Sequence, residues 1–71
     1  MKLITENNRE IQEYLLEKGY IWQSGNDEPD FYDMGFDWLC IDEKNKKLSI
    51  TFDIIICYKQ LTNEEVKARI E

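Results

Sequence analysis

The chain has 71 residues, with 9 Lys+Arg against 15 Asp+Glu and a formal net charge of −6, which leaves room for one core and predicts a single acidic domain over residues 1–71. At 42% hydrophobic and 13% aromatic it is too rich in core formers for intrinsic disorder. The longest apolar run, Ile54-Ile55-Ile56-Cys57-Tyr58, is far short of the roughly 20 residues that span a bilayer, and no apolar signal segment opens the chain, so the expectation is a cytoplasmic protein with no membrane partner.

Residues Lys2 to Ile4 read either as a short strand or as a lead into the first helix. Asn7 followed by Glu10 has the form of a capping box and predicts a helix from about residue 8 to residue 18. Ile11, Tyr14 and Leu15 share one face of it, with Leu16 at the margin, while Arg9, Glu10, Glu13 and Glu17 face water. Gly19 sits at the left-handed position that closes a helix. Tyr20-Ile21-Trp22-Gln23 reads as a strand, ended by Ser24-Gly25-Asn26. No basic residue occurs between Lys18 and Lys44, and the stretch after Asn26 gathers Asp27, Glu28, Asp30 and Asp33 around Phe31 and Tyr32.

Phe36 to Asp42 and Lys47 to about Tyr58 are strand candidates joined by Glu43-Lys44-Asn45-Lys46, with Asn45 suited to a positive φ. Two registers are open. One sets Leu39 opposite Ile50 and Ile41 opposite Leu48; the other sets Trp38 opposite Phe52 and Asp37 opposite Asp53, a like-charge pair. Asp53 suggests a bend or bulge that splits the second strand. Thr62 with Glu65 forms a second capping box, and Val66, Arg69 and Ile70 suggest a short C-terminal helix. The expected fold class is α+β, an N-terminal helix packed on a small, mainly antiparallel three- to four-stranded sheet, followed by the short helix.

Composition narrows the chemistry. Without histidine the commonest general base and metal ligand are missing, and Gly19, Gly25 and Gly35 cannot form either glycine-rich nucleotide motif. Cys40 and Cys57 lie 17 residues apart within apolar stretches, which reads as two buried, reduced thiols. Counted from Asp30 as a calcium loop, Gly35 falls at position six, but Tyr32, Met34 and Ile41 occupy positions that need oxygen ligands. No cofactor, metal site or catalytic residue is predicted; Asp30 and Asp33 are the one conceivable acid–base pair.

Alternation makes both faces of the Phe36–Asp42 strand apolar, and Ile54–Tyr58 behaves alike. One substantial helix cannot cover two such faces, which argues for a homodimer with Phe36, Trp38 and Ile55 as candidate interface residues. The competing reading folds the acidic loop and the C-terminal helix over the second face. Asp27, Glu28, Asp30, Phe31, Tyr32 and Asp33 are candidate protein-binding residues, the aromatics as anchors and the carboxylates as an electrostatic rim.

The run Ile11-Gln12, Leu15-Leu16, Gly19-Tyr20, Trp22 and Ser24-Gly25, with the closing Leu61-Thr62-Asn63-Glu64-Glu65, resembles small phage and prophage proteins, in particular the YopT-like prophage family. The resemblance implies one helix, three strands and a homodimer. Read physically, Gly19 stops the helix, Tyr20 and Trp22 pack the sheet, and Gln12 contacts it. The expected function is that of a non-enzymatic phage or prophage accessory protein acting by protein–protein binding, with a basic, nucleic-acid-binding host protein as the candidate partner. Direct nucleic-acid binding is disfavoured, since Lys44, Lys46 and Lys47 form only a turn cluster. The alternative is a purely structural homodimer with no host target.

Overall fold

In a computed structural model, described for residues 2–30, 37–53 and 56–71, four segments with apolar or β-branched residues and the polar pair Lys59–Gln60, which joins through its backbone, form one mixed sheet. In chain order the elements are β1 (Lys2–Glu6), α1 (Arg9–Glu17), β2 (Ile21–Trp22), β3 (Trp38–Asp42), β4 (Lys47–Thr51), β5 (Lys59–Gln60) and α2 (Asn63–Ile70). The strands lie in the order β2-β4-β3-β1-β5. β3 pairs antiparallel with β1 and with β4, while the flanking pairs β1–β5 and β2–β4 are parallel. The fold class is α+β as expected, but the sheet has five strands and is half parallel by strand pairing. The first segment is the reason: β1 enters the sheet beside β3, and its partners on either side complete the count.

The hairpin takes the register that puts Leu39 opposite Ile50 and Ile41 opposite Leu48. Alternation then lines one face of the sheet with Leu3, Leu39, Ile41 and Leu48, all fully buried, and the like-charge pair of the other register is avoided. The turn differs in one detail, since Lys46 rather than Asn45 has the positive φ of 55°. Asn45 instead donates its side-chain amide to Asp42, whose carboxylate also accepts from the backbone of Lys44 and Asn45. β4 stops at Thr51, and Phe52 and Asp53 bend away as Asp53 suggested. The expected strand to Tyr58 is not formed by Ile56, Cys57 and Tyr58, which lie in turns; Ile54 and Ile55 lie outside the described residues.

Helix α1 begins one residue later than the expected cap. Asn8 caps it, its side chain accepting from the Ile11 amide. Asn7 is drawn inward to Asp37 and Gln12, and Glu10, rather than closing a capping box, pairs with Lys67 of α2. The helix ends as predicted, with Gly19 at φ 97°. Helix α2 carries the complete Thr62–Glu65 capping box, and the carboxylate of Glu65 is held below the usual range by the Thr62 backbone amide.

Both helices cover the same face. Val66 of α2 joins Leu3, Ile11, Leu15 and Leu39 in one core cluster, Tyr14 donates its hydroxyl to the Lys67 carbonyl, and Asn63 donates to Thr5 and to the Glu6 carbonyl of β1. The expectation that α2 would fold over the second face is therefore corrected: fixed by Asn63 at the end of β1, it can only lie beside α1. On the second face Ile4 and Cys40 are nonetheless shielded from water within the single chain, while the Lys2 ammonium lies 5.8 Å over the Tyr58 ring. The case for a second copy therefore cannot rest on an uncovered centre of that face. Cys40 is the buried thiol expected, its pKa pushed up by that burial, whereas Cys57 is exposed because its segment turns instead of pairing.

Candidate acidic binding segment

Asn26 accepts from the Glu28 amide through its side chain and from the Trp22 amide through its carbonyl, so the stretch after β2 folds back on the strand that precedes it. Gly25, at φ 93°, allows the reversal. The Trp22 indole N–H then donates to the Glu28 carbonyl at 2.7 Å, which satisfies the polar edge of a ring otherwise packed in the core.

Two residues further on, Gln12 of α1 holds the chain. Its fully buried amide accepts from the Asp30 N–H at 3.0 Å and donates to the Asp30 carbonyl at 3.2 Å, the pairing one residue of a neighbouring strand would offer. The same amide donates to the Asn7 side chain at 2.8 Å, and Asn7 in turn donates to the buried Asp37 carboxylate and, through its backbone, to the Asp37 carbonyl. Asn7 and Gln12 thus fasten Asp30 and the residue that leads into β3. Every buried side-chain polar atom among the described residues has a partner, so the network is complete, the condition under which buried polarity specifies structure rather than weakening it.

The sequence singled out the carboxylates and passed over the residue that positions them. The sequence suggests that Gln12 caps or contacts the sheet, whereas its partners are the Asp30 backbone of the acidic segment and the Asn7 side chain. The available signal was position: Gln12 precedes Leu15 and Leu16 by three and four residues, which puts an uncharged amide on the helix's apolar side.

Asp27, Glu28 and Asp30 are exposed, and among the described residues no cation pairs with their carboxylates. A backbone fixed from behind therefore presents three anionic side chains to water. Phe31, Tyr32, Asp33, Phe36 and Ile55 lie outside the described residues. Trp38, the remaining interface candidate, is half-buried on the second face opposite Glu6. It lines an open groove of about 450 Å³ together with Glu6, Leu61, Thr62 and Glu64, an aromatic wall with carboxylates beside it. Among the described residues no three acidic or thiol side chains converge as metal ligands would, and no helix is long and apolar enough to cross a membrane. Comparison of the chain with protein-family models, curated proteins and solved structures finds no match.

Proposed function

We propose that this is a non-enzymatic, cytoplasmic accessory protein of phage or prophage type, akin to the YopT-like family, that works by binding a basic protein such as a nucleic-acid-binding host factor. The observation that carries the reading is the anchored acidic segment: Gln12 and Trp22 hold its backbone while Asp27, Glu28 and Asp30 stay exposed and without a cationic partner among the described residues. Pre-organised carboxylates steer a basic partner and lose little entropy on binding. Phe31 and Tyr32 are the proposed anchors and Asp33 completes the rim.

The test is a pull-down from bacterial lysate at low and high salt with the wild type and with the variant Asp27→Asn, Glu28→Gln, Asp30→Asn. A partner captured by wild type at low salt, released at high salt and missed by the variant is the expected result; capture indifferent to both salt and the substitutions overturns the reading. Replacing Phe31 and Tyr32 by Ala should abolish capture at unchanged stability.

A second reading, a structural homodimer with no host target, draws on Phe52 and Ile56, which are 64% and 97% exposed. Large apolar side chains in such positions mark contact surfaces when they are contiguous. Light scattering on a sizing column decides it: a mass of 8.6 kDa at micromolar concentration excludes the homodimer.

A further inference from the structure

Cations gather at the opposite end of the sheet, where the 43–46 turn meets the C-terminal ends of both helices. A cleft of about 280 Å³ there is lined by Lys18, Tyr20, Glu43, Lys46 and Arg69. Its lining carries three cations and one carboxylate, with the Asp42 carboxylate also acting on Tyr20, in a chain of net charge −6.

The cleft also holds an unused donor. Tyr20 is 5% exposed and its ring belongs to the core cluster, yet among the described residues its hydroxyl makes no hydrogen bond. Since no buried side-chain polar atom of the described residues lacks a partner, that hydroxyl must reach the surface, and the groups that perturb its ionisation, Glu43, Arg69 and Asp42, place it at this end. Burial and the Glu43 charge push its pKa upward, so it stays protonated and able to donate at neutral pH.

Lys46 contributes through its backbone. Its φ of 55° is a conformation that Gly or Asn adopts with less strain, and it carries the ammonium to within 4.0 Å of where a Cβ would stand on Gly19, beside Lys18 at the end of α1. The one carboxylate in the cleft is occupied: Glu43 receives Arg69 through two nitrogens at 2.8 and 3.0 Å, which holds its pKa low and fixes the guanidinium.

We propose that this cleft binds a phosphate-type oxyanion, with Lys46 and Lys18, whose ammonium lies 5.4 Å over the Tyr14 ring and would swing from it, supplying charge-assisted donors and the Tyr20 hydroxyl a third. The class follows from the donors, which are all hydrogen-bond donors of a kind that oxyanions accept. The cleft, open and about 280 Å³ in volume, has room for a small oxyanion. The proposal goes beyond the acidic-segment reading and stands without it.

Amide shifts of the ¹⁵N-labelled protein, followed during titration with sodium phosphate at constant ionic strength, test it. Saturable shifts at Lys18, Gly19, Tyr20 and Lys46, not reproduced by chloride, are expected. The double variant Lys18→Gln, Lys46→Gln should bind about tenfold more weakly, and Tyr20→Phe, which removes a hydroxyl that supports nothing in the fold, about threefold. Shifts that chloride reproduces, or a half-saturation unchanged in both variants, overturn the site; if the double variant fails to fold, Lys46→Gln alone decides. Glycerol phosphate separates the sources: tighter binding than inorganic phosphate identifies an ester ligand, weaker binding the free ion.

Discussion

The turn at 43–46 and the segment at 26–30 are both short, polar and exposed, and they are held in opposite ways. At its tip the turn is organised from within, the Asp42 carboxylate accepting from Lys44 and Asn45, two and three residues along the chain; the β3–β4 ladder lies below it, and only at its two ends does it meet distant residues, Arg69 at Glu43 and the Ile21 amide at the Lys46 carbonyl. The acidic segment is held by its own neighbours Trp22 and Asn26 as far as Glu28, but its end at Asp30 is organised from outside, by a glutamine 18 residues earlier in sequence whose amide pairs with the Asp30 backbone. A polar loop can thus be a local object or a tertiary one, and its composition does not say which. The local one is readable from neighbouring residues, whereas the tertiary one depends on which helix face the fold turns towards it.

The contrast breaks most severely at Gln12. Gln12→Ala should cost about 2–4 kcal/mol in urea unfolding, from the lost amide bonds and the space left behind, and should accelerate hydrogen exchange at Asp30 while the Lys44 and Asn45 amides keep their wild-type rates. Equal acceleration at both places would show that the two loops are one cooperative unit. Gln12→Glu sharpens the point, since it keeps an acceptor for the Asp30 amide but sets a buried carboxylate against the Asn7 and Asp30 oxygens; at neutral pH its loss should be at least as large as that of the alanine variant, confined to the same side, and eased when acid protonates the carboxyl.

At the turn, Asp42→Ala should lower the melting temperature by roughly a few degrees and leave exchange at Asp30 untouched. The Asp42 carboxyl is held below its ordinary value, first by the Asn45 side-chain amide. A depressed folded pKa stabilises above the unfolded pKa and is lost as pH falls through the folded one, so part of the stability present at neutral pH should disappear below the ordinary carboxylate range. Glu10, lowered by Lys67, and Glu65, lowered by Thr62, act with the same sign. Acid unfolding of the Asp42→Asn variant should be correspondingly flatter in pH.

The smallest effect concerns the two thiols. A thiol-reactive probe should modify Cys57 rapidly in native buffer and Cys40 only on unfolding, because one lies in an exposed turn and the other inside β3. Equal rates would contradict the end of β4 at Thr51.

What could be read from the chain alone was what neighbours within a few residues decide. The Thr62–Glu65 box, the Gly19 stop and the bend at Asp53 depend on short-range sterics or local hydrogen bonds, while the period of two in a strand narrowed the hairpin to two registers without choosing between them. Even the misplaced cap, Asn7 for Asn8, is a local signal diverted by a distant one, since Asn7 was taken by Asp37 thirty residues away. The acidity of 27–30 was equally plain, being composition.

Tertiary structure decided the rest. Whether residues 2–6 became a strand depended on β3 and β5 offering edges, and whether α2 joined α1 depended on Asn63 meeting β1. Gln12 acquired its role only when the 26–30 backbone came to lie across α1, and the cationic cleft only when the 43–46 turn met two helix ends. A residue's short-range preferences are present in the unfolded chain. Its long-range partners are selected by the packing that buries the most apolar surface while leaving no polar group unpaired.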